Sequence, residues 1–249
     1  MVLLFKSILE ADTTAATAND KRKLPRYALG DDFIFRTKLT LFQSGGKGKD
    51  WSATPVNLSV TGASVQVSMA AVAFQREKCQ LKFSHGDYQL QLPATIAHFR
   101  CYSQYSLCGI VFNFPDEESR QAYFQLLEPV AIGGSLKPVE VVQDAPGRPK
   151  EKYAAGNGSA VLIIWRDEPG KSIISFDFRM RNYGVSWTKG LAELEVYGLA
   201  IDEASSAEEI LSLSEEQNEE VRWLFCLAVP NLSKAVPLDV RKFLAPLVA

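Results

Sequence analysis

The sequence predicts a mainly β chain in two parts, a small antiparallel barrel or sandwich in the first half and a small α+β module at the end. Three observations point there. Short runs of strand-forming residues recur between residues 27 and 114, each closed by turn residues. A helix signature at Pro115-Asp116-Glu117-Glu118 ends that series, and after a Gly- and Pro-rich stretch further strands give way to helices.

The elements follow in order. Met1-Val2-Leu3-Leu4-Phe5-Lys6-Ser7-Ile8-Leu9 is apolar but shorter than a bilayer-spanning helix needs, and Lys6 breaks the pattern of a secretory leader. It reads as a segment docking on its own protein or on a partner, with residues 1–20 as N-terminal segment and linker. Residues 21–130 form the first domain. Its expected strands are Phe33–Leu41, Ser52–Val56, Ala63–Ser68, Gln80–Phe83, Tyr88–Phe99 and Ser106–Phe114, with hairpin turns at Gly45-Gly46-Lys47-Gly48 and His85-Gly86-Asp87. The helix opened by Pro115 places Tyr123, Leu126, Leu127 and Val130 on one face, which packs it on the strands. Residues 131–154 read as a connector. In residues 155–249 strands are expected at Val161–Trp165, Ile173–Met180 and Leu191–Ile201. Capping-box patterns at Ser206…Glu209 and Ser214…Gln217 then predict two helix starts, and Pro237 begins a last short helix.

Composition limits the function classes. The chain has 249 residues, 47% hydrophobic and 22% charged, the profile of an ordinary globular protein. Its four cysteines form no Cys-x-x-Cys pair and stand apart from the two histidines, so neither zinc ligation nor a disulfide framework is indicated and a reducing cytoplasm is expected. Residues 21–130 carry thirteen Lys and Arg against nine Asp and Glu, a balance of +4; residues 151–249 carry ten against fifteen, a balance of −5. A basic half that holds a ligand and an acidic half that meets something else is one division of labour consistent with this.

Two segments carry the functional signal. Arg22-Lys23-Leu24-Pro25-Arg26 offers two guanidinium groups in a loop that Pro25 keeps out of helix, because proline disfavours the α conformation at Leu24. Fully extended, four residues reach about 13 Å, so Arg22 and Arg26 can grip a ligand from two sides. Each can fork onto a phosphate or stack on a purine. In Asn57-Leu58-Ser59-Val60-Thr61-Gly62, the Asn57 amide matches a base edge and Ser59 shares its face in extended chain. Gly62 is free to take positive φ and admit a ligand close to the backbone. Together they suit a small, doubly anionic ligand bearing planar bases.

These segments, the following Ala63-Ser64-Val65-Gln66-Val67, the later Cys108-Gly109-Ile110-Val111-Phe112 and a helix containing Arg120 resemble a PilZ domain over about residues 20–130. The resemblance implies a six-stranded antiparallel β-barrel followed by a helix, and cyclic di-GMP as ligand. It implies phosphate and guanine contacts from Arg22 and Arg26 and a guanine edge held by Asn57, Ser59 and Gly62. All five signature positions are filled. Residues 155–249 have no counterpart in it.

The leading expectation is therefore a non-catalytic cyclic di-GMP receptor of the bacterial cytoplasm. It rearranges its arginine loop and domains on binding and signals to an unidentified protein partner through residues 155–249; a homodimer is a further option. The alternatives are a PilZ-type interaction module indifferent to the nucleotide and, less favoured, a nucleic-acid-binding regulator. Neither catalytic nor metal-binding residues are expected: His98 alternates with apolar residues as a barrel side chain does, and Asp177 and Asp202 read as isolated. Trp165, Trp187, Trp223 and Phe225 read as core.

Overall fold

A computed structural model describes residues 25–30, 32–42, 48–141, 150–167, 172–201 and 208–248. It divides into two compact units, residues 1–128 and 129–249. Arg22, both ends of the first expected linker, Asp202 and Ser206 lie outside the described residues.

In the first unit β1 (Tyr27–Ala28), β2 (Arg36–Phe42), β3 (Gly48–Ser59), β4 (Gly62–Val67), β5 (Lys78–His85), β6 (Tyr88–Cys101) and β7 (Ser106–Phe112) precede helix α1 (Glu117–Ser135). Strands β3-β2-β5-β6-β7-β4 are hydrogen-bonded in that order and β4 returns to β3, which closes a six-stranded antiparallel barrel; β1 adds to β3. Alternation builds its interior. Leu39, Leu81, Leu92, Val65 and Phe83 are fully buried, while their strand neighbours face outward. His85-Gly86-Asp87 makes the β5–β6 hairpin, with Gly86 at φ +53. Helix α1 buries Tyr123 against Phe112, their ring centroids 4.7 Å apart.

Two cysteines sit inside the barrel wall. Burial pushes the Cys79 thiol up to about 12 from an ordinary 9.0, with Cys108 adding to it, and burial pushes Cys108 up to about 12 as well. A raised acid value favours the folded state below pH 9.0, and that contribution is lost as pH climbs from there toward about 12. In mildly alkaline buffer, iodoacetamide should label exposed Cys101 quickly. Cys79 and Cys108 should react only after denaturant, which peptide mass mapping will read.

The second unit is one antiparallel meander. Strands β8 (Lys137–Val139), β9 (Lys150–Ala154), β10 (Ala160–Arg166), β11 (Ile173–Met180), β12 (Tyr183–Thr188), β13 (Glu195–Ile201) and β14 (Glu208–Leu211) pair strictly in sequence. Helices α2 (Glu215–Ala228) and α3 (Leu238–Leu244) follow. One face of the sheet meets these helices: Phe176 stacks parallel on Phe225 at 5.9 Å, and Trp187 and Phe176 both contact Phe243. Buried Arg166 ties β10 to its surroundings through Glu151 on β9 and Asp239 on α3, each at 2.7 Å.

Three expectations change here. The stretch read as a connector contributes β8 and β9 to this sheet. The pattern Ser206…Glu209 does not start a helix, because Glu208–Leu211 pairs with β13 as an edge strand. An unforeseen strand, β12, lies between β11 and β13. The Ser214…Gln217 box forms in full: the Ser214 hydroxyl accepts from the Gln217 amide, and the Gln217 side chain accepts from the Ser214 amide.

Candidate functional site

A bulge determines where the Asn57 segment points. Pairing between β3 and β4 shifts between Pro55 and Asn57, which leaves Val56 as the extra residue. Proline lacks an N–H for the ladder and sits readily beside such an irregularity. Before the bulge Ala53 faces inward, and after it Leu58 does. The phase change turns Asn57 and Ser59 to the outer side of the barrel, opposite Ser64 and Gly62 of β4.

Strand β1 brings the arginine segment to the same place. Tyr27 pairs with Leu58 and Ala28 with Asn57, and the Leu29 amide donates to the Val56 carbonyl at 3.0 Å. Arg26, just before β1, is exposed and donates from Nη1 to the Ser64 hydroxyl at 3.4 Å. Ser64 is the cross-strand partner of Asn57, so Arg26, Asn57 and Ser64 converge. Sequence reading passed over Ser64, whose place here depends on register. The Asn57 side-chain oxygen Oδ1 is buried with no hydrogen-bond partner among the described residues. A buried acceptor left unpaired costs about 1–3 kcal/mol, so this atom is poised for a donor from outside.

Ser59 and Gly62 differ from expectation. The Ser59 hydroxyl donates to the Gly62 carbonyl at 3.1 Å, and the Ser59 carbonyl accepts from the Tyr123 hydroxyl at 2.7 Å. Both groups are used within the fold. Burial holds the Tyr123 phenol well above its usual range, while the Ser59 carbonyl lies within hydrogen-bonding reach. Gly62 is not at positive φ. A Cβ there would run into the Ile110 carbonyl oxygen on β7, so barrel packing is what excludes a side chain.

A groove of about 560 Å³ runs beside this cluster, with Leu29, Arg36, Thr54 and Gln66 among its walls. None of Arg26, Asn57, Ser59 and Gly62 lines it. His85 lies with Nδ1 3.1 Å from the Ile34 carbonyl, and the His98 ring covers Gly109, where a Cβ would strike it. Among the described residues no three His, Cys, Asp or Glu could hold a metal ion. No helix among them is long and apolar enough to cross a membrane.

Asp177, which the sequence left isolated, has partners in the second unit. Its carboxylate accepts from Arg179 Nε at 2.7 Å and from the Tyr197 hydroxyl, whose ring crosses over Gly184 to reach it. Burial first, then this bond to Asp177, raises the Tyr197 phenol far above its usual range.

Residues 20–128 match the family model for the PilZ domain, somewhat under half of the chain. The match takes in all seven strands of the first unit, β1 to β7. Among solved structures, a complex of K. pneumonia MrkH with c-di-GMP is similar at 11% identity and a TM-score of 0.35, over 43% of this chain. The chain spans 50% of the length of that structure. No curated protein matches.

Proposed function

We propose that this chain is a cyclic di-GMP receptor whose ligand is held by Arg22, Arg26, Asn57, Ser59 and Gly62. The observation that carries this reading is the buried Oδ1 of Asn57, unpaired among the described residues, across the strands from Ser64, which Arg26 contacts. An amide carrying both donor and acceptor matches a guanine edge. A guanidinium next to it suits a phosphate or the guanine face. Arg26 leaves its 3.4 Å contact with Ser64, too long for a strong bond, for the ligand. Ser59 and Gly62 shape the wall instead of supplying free polar groups.

Residues 21–130 act as the receiving domain and residues 155–249 as the output domain, which meets a protein partner. Binding orders the arginine segment against the barrel and alters the arrangement of the two domains, a familiar way for a segment to switch. Scattering with and without ligand is the measurement for that step.

Isothermal titration with cyclic di-GMP tests the reading. One charge-assisted contact contributes roughly 1.5–3 kcal/mol, so Arg26→Ala and Arg22→Ala should each weaken binding at least tenfold. Asn57→Ala should weaken it as well. Wild-type protein that ignores high-micromolar cyclic di-GMP would leave the nucleotide-independent interaction module standing.

A further inference from the structure

Beyond the Asn57 cluster, the outer wall of the barrel carries positive charge that the fold does not use. Thr37 and Leu39 of β2 are buried, so Arg36 and Lys38, which alternate with them, point outward and are exposed. Lys38 pairs directly with Lys82 of β5. Like charges set opposite each other destabilise a sheet. Among the described residues, no ion pair or side-chain hydrogen bond neutralises Arg36, Lys38 or Lys82. Asp50 of β3 accepts from the Thr40 hydroxyl at 2.7 Å instead. A bound anion would relieve this repulsion.

Register joins this wall to the candidate site. On β4, Gln66 stands two residues from Ser64 on the same face, about 7 Å along the strand. Gln66 pairs with Thr54 of β3, and the pairing of Thr37 with Ala53 sets Arg36 beside Thr54. The row Gln66, Thr54, Arg36 therefore lies one step along the barrel from the row Ser64, Asn57. Arg36, Lys38, Thr54 and Gln66 all line the groove of about 560 Å³, and Phe33 and Pro55 add apolar surface to it. Cations, one amide and an apolar wall in one groove suit a nucleotide.

We propose that this groove is a second subsite, which takes the far half of the cyclic dinucleotide. The assignment rests on the reading of the ligand as cyclic di-GMP and extends it from one nucleotide to two. Such a ligand has two bases and two phosphates, and Asn57 accounts for only one base. The Arg36 guanidinium forks onto the far phosphate, and Lys38 adds charge. The Gln66 amide, donor and acceptor in one plane, meets the edge of the second guanine. Phe33 and Pro55 lie against its apolar face.

Isothermal titration of the full chain with cyclic di-GMP, repeated at several salt concentrations, is the test. Arg36→Ala should weaken binding about tenfold, leave one ligand per chain and flatten the salt dependence. Gln66→Ala should weaken binding without changing the salt dependence. Arg100→Ala, the same loss of charge at an exposed position on β6, should bind like the wild type. Lys38→Ala should weaken binding yet not lower the melting temperature of the ligand-free protein, because it removes a like-charge repulsion. Wild-type binding that Arg36→Ala and Gln66→Ala leave unchanged overturns the subsite and spares the cyclic di-GMP reading. Two ligands per chain, of which Arg36→Ala removes one, also overturn it, since the groove then takes a separate molecule. A wild type that ignores the nucleotide overturns both.

Discussion

Replacing Gly62 with alanine should destabilise the barrel by about 3 kcal/mol, at the upper end of what overpacking costs. A Cβ at this position meets the Ile110 carbonyl oxygen, a backbone atom that cannot swing aside as a side-chain tip can. Relief requires β4 and β7 to separate where Gly62 pairs with Val111, and the Phe112 amide bond to the Thr61 carbonyl would go with it. Gly86 makes the control. It has positive φ but open space around it, so Gly86→Ala should cost only about 1 kcal/mol, the strain of a left-handed residue. Urea melts of the two variants should differ clearly. If Gly62→Ala melts with the wild type, the close approach of β4 to β7 is wrong. Where Gly62→Ala is destabilised as expected, a loss of the proposed cyclic di-GMP binding in that variant reports a damaged wall, not a lost contact.

The second large effect is expected at Arg166. Its side chain is 6% exposed and holds Glu151 and Asp239, which are 33% and 58% exposed. Removing one partner of a buried pair costs 3–5 kcal/mol when the other stays buried. Here both carboxylates retain some water, so Arg166→Ala should cost about 2–3 kcal/mol. Arg166→Met, which restores packing without charge, should recover part of it. Partial burial alone would raise Asp239, but the hydrogen bond and charge of Arg166 more than offset it and hold the carboxyl below its ordinary 3.8. A lowered value contributes stability above that pH and loses it as pH falls further. The wild type should therefore lose stability on acidification below 3.8 more steeply than Arg166→Ala, as thermal melts across that range will show.

The barrel was legible because β2, β5 and most of β6 alternate and because glycine or polar turns bound the strands. The second sheet was only partly legible. Strand β12 is short, mixed in polarity and interrupted by Gly184, whose missing side chain makes room for Tyr197; such a strand has no periodic signal. The Ser206…Glu209 spacing satisfies a helix-start rule locally, yet Leu199 and Ala200 claim Ile210 and Glu209 as cross-strand partners. In β8, Pro138 reads as a breaker but sits on a sheet edge, where a missing N–H does little harm. In the candidate site, Arg26 and Asn57 were visible as a motif. Ser64 and Tyr123 were not, since one is reached through register and the other through a contact 64 residues distant. Asp177 looked solitary for the same reason, its partner Tyr197 being 20 residues away.

The bond from Tyr123 to Ser59 bears on how selectivity is divided. With the Ser59 hydroxyl and carbonyl both satisfied, the turn between β3 and β4 reaches its binding shape during folding, and little entropy is left to lose there when a ligand arrives. In the proposed site, discrimination between bases at this wall would fall to Asn57, and Arg26 would set how long a captured ligand stays. On that reading, drift at Asn57 would change which nucleotide is recognised, and drift at Arg26 how tightly it is held.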